Sequence, residues 1–166
     1  MTKMDKHRQR SADEHWLKVA VELARSHMKS GRCGPFGAVI TKDHEVVGLG
    51  WNMVVMNGDP TAHAEMVAIR RAAKRLGTYR LNGCVLYCSC EPCPMCLGAA
   101  FWARVERVVF GATRFDAGNA GFDDLVLHSQ FERRSFPKVP AMRRIPCAGA
   151  EALLEEWSRL AKKVPY

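Results

Sequence analysis

No apolar stretch in the 166 residues approaches the ~18 that a membrane-spanning helix needs, so no membrane protein is expected. The opening residues, MTKMDKHRQR, carry charge with no apolar segment after them, so no signal peptide is expected. Internal repeats and low-complexity linkers are missing. Acid is in short supply: 17 Asp and Glu face 25 Lys and Arg, a net charge of +8. What is present is ordinary for a globular domain, with 48% hydrophobic and 25% charged residues. Such a chain hides roughly 70% of its unfolded surface when compact, enough for one full core and little more. The apolar content excludes a disordered tail protein.

An even complement of cysteines is lacking too. The seven are Cys33, Cys84, Cys88, Cys90, Cys93, Cys96 and Cys147. An odd count without a secretory signal argues against a disulfide framework and for a reducing compartment, the cytoplasm. Cys33, Cys84, Cys88 and Cys147 read as small buried hydrophobes. Cys93 and Cys96 differ, because two intervening residues is a chelating spacing. Among the histidines, His7, His15, His27, His44 and His128 have no sequence partners and read as surface or satisfied core residues.

The periodicity alternates helix and strand. Ser11 to Glu14 reads as a capping box opening a helix that carries Trp16, Ala20, Leu23, Ala24 and Met28 on its apolar stripe. Ala38 to Ile40 and Val46 to Gly50 read as a hairpin turning at Asp43 and His44. Asp59 and Pro60 read as the cap and first residue of a helix running to Leu76. A buried strand follows from Cys84 to Cys88, then a helix from Pro94 to Ala103 and a strand from Arg107 to Phe110. A fifth strand is expected over 142–145 and a last helix over 149–163. The predicted fold class is α/β: a three-layer α/β/α sandwich around a central mixed five-stranded sheet, its first pair antiparallel and its later strands parallel. Residues 1–12 are expected to be a basic extension without order of its own, and 13–166 a single domain.

Two short patterns carry chemistry. His63-Ala64-Glu65 opens one predicted helix and Pro92-Cys93-Pro94-Met95-Cys96 opens the next. An H-x-E followed by P-C-x-x-C is the zinc deaminase pattern. Zinc accepts imidazole and thiolate, and three protein ligands leave the fourth tetrahedral position open for reaction. His63, Cys93 and Cys96 are therefore the expected metal ligands, with one zinc per subunit. Two cysteines three apart face one side of a helical first turn, and a helix N-terminus favours thiolates. Glu65 is the expected catalytic residue, carrying a proton from water to the substrate ring and leaving amine. A structural site would want a fourth ligand, for which Cys90 stands nearest.

These motifs, with Gly34-Pro35-Phe36-Gly37-Ala38-Val39-Ile40, the run from Asn57 to Glu65 and Ala120-Gly121-Phe122-Asp123-Asp124, resemble the cytidine deaminase-like superfamily of nucleobase and nucleoside deaminases. Within it the likeness, which covers about residues 13 to 166, is to bacterial guanine deaminases. The resemblance implies hydrolysis of guanine to xanthine and ammonia, and a small-molecule purine partner. It assigns Asn52 to hydrogen-bonding the purine, Phe36 to stacking near the ring and Asp124 to accepting the purine edge donors. Trp102 and Ala64 are further substrate-binding candidates. Tyr166 would cover the pocket, on a C-terminal segment exchanged between the two subunits of a homodimer. Gly50-Trp51-Asn52, Tyr79-Arg80-Leu81 and Val108 to Gly111 are reminiscent of tRNA adenosine deaminases, which the +8 charge would suit, and guanosine is the other alternative substrate. A zinc-stabilised nucleic-acid-binding module is the non-enzymatic reading, motivated by Arg70-Arg71, Arg133-Arg134 and Arg143-Arg144. Against it, the basic clusters at residues 1–10, 70–80 and 131–144 avoid the zinc motifs, whose neighbours Glu65, Glu91, Asp123 and Asp124 are acidic.

Overall fold

A computed structural model describes residues 3–122, 125, 127–129 and 141–162. The predicted sandwich is present. Five strands lie in the order β2-β1-β3-β4-β5, with β1 Gly37–Lys42, β2 Glu45–Trp51, β3 Cys84–Cys90, β4 Arg107–Ala112 and β5 Ala141–Arg144. β1 is antiparallel to both β2 and β3, while β3, β4 and β5 run parallel. The hairpin turns at Asp43 and His44, whose φ values of 50° and 64° give two successive left-handed residues. That is the turn whose twist suits a two-residue hairpin.

Helices cover both faces. On one, α3 (Ala64–Leu76) and α4 (Pro94–Trp102) pack with Ile40, Leu86, Val108 and Phe110. On the other, α1 (Lys3–Met28) lays Leu17 and Ala20 on Val39, Tyr87 and Val109. The last helix, α6 (Ala148–Ser158), joins α1 through Leu153, Leu154 and Trp157 against Val21, Ala24 and Met28. A one-turn α2 (Val54–Asn57) and a short α5 (Arg114–Asn119) complete the order. No helix among the described residues is long and apolar enough to cross a membrane.

Close packing fixes where α3 begins. A Cβ on Gly50 would stand 2.0 Å from the Ala64 carbonyl oxygen, and one on Gly48 would stand 2.4 Å from that of Ala68. Only hydrogen at those positions lets the small face of α3, Ala64, Ala68 and Ala72, lie on β2. The first turn of α3 is thereby held at the end of the sheet.

Three boundaries differ from the sequence reading. α1 starts at Lys3 and runs through Ser11. Instead of capping, that turn is stitched at i,i+4 by Gln9 to Asp13 (3.0 Å) and Arg10 to Glu14 (2.9 Å), so residues 3–12 belong to the helix. α3 starts four residues after Pro60, because the Asp59 carboxylate accepts from the backbone N–H and hydroxyl of Thr61 and closes a local turn. The last helix ends at Ser158, not near 163. The helices α2 and α5 were not foreseen, being too short to show periodicity.

Candidate active site

Three backbone laces gather the motif residues at one rim. The Asn52 N–H donates to the Phe36 carbonyl (3.0 Å) and the Met53 N–H to the Ala62 carbonyl (2.9 Å). The Gly37 N–H donates to Ser89 Oγ (3.0 Å) at the end of β3, four residues before Cys93. This is the carboxyl end of the parallel strands, where α/β sheets open their ligand crevices.

His63 and Cys93 are the N-cap residues of α3 and α4, both with extended backbone, and Pro94 takes the first position of α4. Two helix N-termini therefore meet here and favour negative charge. His63, Cys93 and Cys96 form the one potential metal-ligand group found among the described residues. His63 Nδ1 lies 3.7 Å from Cys93 Sγ and 3.8 Å from Cys96 Sγ, and the two sulfurs are 3.5 Å apart. A tetrahedral zinc with ordinary bond lengths separates two sulfurs by about 3.8 Å and a nitrogen from a sulfur by about 3.6 Å. The donor spacing fits that ion within a few tenths of an ångström. The Cys93 thiol is pushed down to about 4, first by its hydrogen bond with Cys96 and then by His63, against the opposing effect of burial. Its partner Cys96 is pushed the other way by the same bond and by burial. A cysteine sulfur so disposed beside an imidazole is the donor set that zinc takes.

Glu65 reaches the same point from the first turn of α3. Only 8% of it is exposed, and its Oε2 accepts from Cys96 Sγ at 3.5 Å. Burial, reinforced by the Cys93 charge, raises its carboxyl to about 7.

The remaining sequence candidates divide. Asn52 is 1% exposed, between β2 and α2, with Oδ1 accepting from the Val54 N–H at 3.2 Å. Phe36 is half-buried and meets Phe122 edge to face at 4.7 Å between ring centroids. Phe122 in turn stacks near Trp157 of α6 at 6.2 Å, linking the rim to the C-terminal helix. Ala64 is fully buried in the core under α3, with no exposed side-chain surface. Trp102 is not brought to the rim within the chain. It is 70% exposed at the far end of α4, about 12 Å along the helix axis from Pro94 at 1.5 Å per residue. Asp124 and Tyr166 lie outside the described residues. Cys90 donates toward the Thr113 carbonyl (3.5 Å) and packs with α1 and α6, apart from the metal trio.

One cluster escaped the sequence reading. Glu91, between the end of β3 and Pro92, accepts from the backbone N–H of Arg114, whose side chain also meets the buried His128. Separations of 23 and 14 residues leave no local pattern for such contacts.

Residues 10–112 match the family model of the cytidine and deoxycytidylate deaminase zinc-binding region. The guanine deaminase of Bacillus subtilis is 43% identical over 153 residues, which is 92% of this chain and 98% of that protein. Its X-ray structure superposes with a TM-score of 0.69 over the same shares. A guanine deaminase structure from Nitrosomonas europaea shares 27% identity and a TM-score of 0.73, over 89% of this chain and 85% of that one. A tRNA-specific adenosine deaminase of Haemophilus influenzae is 40% identical over 126 residues, 72% of each protein.

Proposed function

The chain belongs to the cytidine and deoxycytidylate deaminase zinc-binding family, and from that premise we propose that it hydrolyses guanine to xanthine and ammonia. The observation that carries the reading is the reach of the likeness. The B. subtilis guanine deaminase is matched over 98% of its length, whereas the H. influenzae tRNA-specific deaminase is matched over 72%.

His63 Nδ1 and the sulfurs of Cys93 and Cys96 hold the zinc, one per chain. When bound, the ion supplies Lewis-acid activation of water at neutral pH. Glu65 does the proton work. With its carboxyl raised to about 7, it is poised to take a proton near neutrality and to give it up again. It takes a proton from the attacking water and gives it to ring N3, then takes the remaining proton from the C2 hydroxyl and gives it to the departing amine, so the water oxygen stays as the C2 carbonyl and ammonia leaves. Asn52 hydrogen-bonds the purine, the Phe36 ring stacks on it, and Ala64 contributes its position at the α3 N-terminus. Asp124 accepts the adjacent N1–H and N2–H donors of the guanine edge, where adenine sets one amino donor beside an acceptor nitrogen. Tyr166 closes the pocket on a tail exchanged between two subunits of a homodimer in the cytoplasm. The basic surface is a solvated exterior.

The test is metal dependence. Chelator-treated protein forms no xanthine, and one equivalent of zinc per chain restores it. Full turnover without any divalent metal would contradict the assignment.

A further inference from the structure

We infer that Glu91, Arg114 and His128 form a brace that sets how tightly the Cys93 loop holds its metal. This rests on the reading of His63, Cys93 and Cys96 as ligands, and it concerns residues that touch neither ion nor substrate.

Glu91 is two residues before Cys93, on the loop leaving β3. Its backbone N–H donates to the Ala112 carbonyl at 2.9 Å, extending the pairing of β3 with β4 by one step. Its side chain then crosses to the neighbouring segment. Oε2 accepts from the Arg114 backbone N–H at 3.1 Å, and Oε1 lies 3.7 Å from the Arg114 guanidinium. Both side chains are withdrawn from water, at 15% and 21% exposure, so the pair is little screened by solvent. Arg114 is itself fixed at the start of α5, where Thr113 and Asp116 form a reciprocal capping box.

The third member meets the same guanidinium nitrogen of Arg114. His128 is 6% exposed, and its Nδ1 lies 3.2 Å from Arg114 Nη1. A guanidinium has only donors, so Nδ1 is the acceptor in this contact. The ring Nε2 has no hydrogen-bond partner among the described residues, where the Arg114 contact is the one that orients the imidazole. A buried ring turned toward the guanidinium is a packing block that keeps Arg114 directed at Glu91.

The consequence falls on Cys93. The loop from Glu91 to Cys93 has one buried proline, Pro92, and no side-chain cap at its helix entry. Its direction is therefore set by the Glu91 contacts on one side and by α4 on the other. Outer-shell partners of this kind change metal affinity by about 10–100-fold when removed.

The experiment is chelator competition on the zinc-loaded full-length chain, giving a zinc dissociation constant for each variant. Glu91→Ala raises that constant by about 10–100-fold. Glu91→Gln and Arg114→Met break the same ion pair, so each weakens zinc by the same factor and the double variant weakens it no further. Glu156→Gln, which breaks the comparable pair of Arg25 with Glu156 between α1 and α6, leaves the constant unchanged and controls for general loss of stability. If Glu91→Ala does not fold, Arg114→Met, which keeps its backbone N–H, carries the same readout. Zinc constants for both Glu91→Ala and Arg114→Met within twofold of the unsubstituted chain would overturn the brace. An unsubstituted chain that binds no zinc would overturn the ligand reading beneath it.

Discussion

Glu65→Gln retains one zinc per chain and turns guanine over about 10²–10⁴ times more slowly, the range by which a positioned acid–base group accelerates proton transfer. The amide is nearly the same size and keeps an oxygen for Cys96 Sγ, which stands 3.5 Å from Glu65 Oε2. What it loses is the ability to take a proton. The metal trio does not include Glu65, so metal content and fold survive while the chemistry does not. Zinc by metal analysis, beside steady-state xanthine formation, checks both halves. Near-normal turnover in that variant would remove Glu65 from the reaction, and loss of zinc would make it a ligand instead.

Asp13→Ala lowers the unfolding free energy by about 3–5 kcal/mol, the cost of breaking a buried ion pair by removing one partner. Asp13 is wholly buried under α1 on the face away from the metal trio. It accepts from Gln9 (3.0 Å), from the Tyr87 hydroxyl (2.9 Å) and from two Arg107 nitrogens (3.0 and 2.7 Å), with Arg143 a further 3.6 Å away. Deleting it takes the carboxylate from both the Arg107 guanidinium and the Tyr87 hydroxyl in one stroke. Urea unfolding of the two proteins gives the difference; a loss under 1 kcal/mol, the scale of an exposed pair, would contradict this account. The same group gives the fold a pH dependence. Burial alone would raise the Asp13 carboxyl, but the hydrogen bond and charge of Arg107, with Tyr87 and Gln9, hold it below its ordinary 3.8. A carboxyl depressed in the folded state stabilises fully above its unfolded pKa. That contribution is lost as pH falls below 3.8 through the folded value, and Asp13→Ala, lacking it, shows a flatter acid limb.

The metal centre was legible in the sequence because its geometry is local. His63 and Cys93 each sit at a helix start, and a C-x-x-C step on a first turn leaves the thiols nowhere to go but the same side. Strand direction followed from the alternation of elements, including the antiparallel first pair, while the strand order is visible only in the structure. The start of α3 was misplaced for a physical reason: Asp59-Pro60 carries the residue types of a helix start, but the Asp59 side chain is spent on Thr61. Ser11 was misread as a cap for the converse reason, since Asp13 and Glu14 answer to Gln9 and Arg10 one turn earlier. Trp102 ends α4, nearly a full nine-residue helix from Cys93, so nothing in the local spacing ties it to the metal trio within one chain. The Glu91–Arg114–His128 contacts and the Asp13–Arg107–Tyr87 network join residues 14 to 94 positions apart, and only the sheet order brings them together.

The central claim, that this zinc deaminase acts on the free base guanine, is tested most directly by ammonia release from zinc-loaded protein offered guanine, guanosine, adenine, cytosine, cytidine and a tRNA anticodon stem in parallel. Guanine is the substrate consumed, with xanthine formed in equal amount, and the tRNA stem is left unchanged. Deamination of adenosine in the tRNA stem with guanine untouched would contradict it.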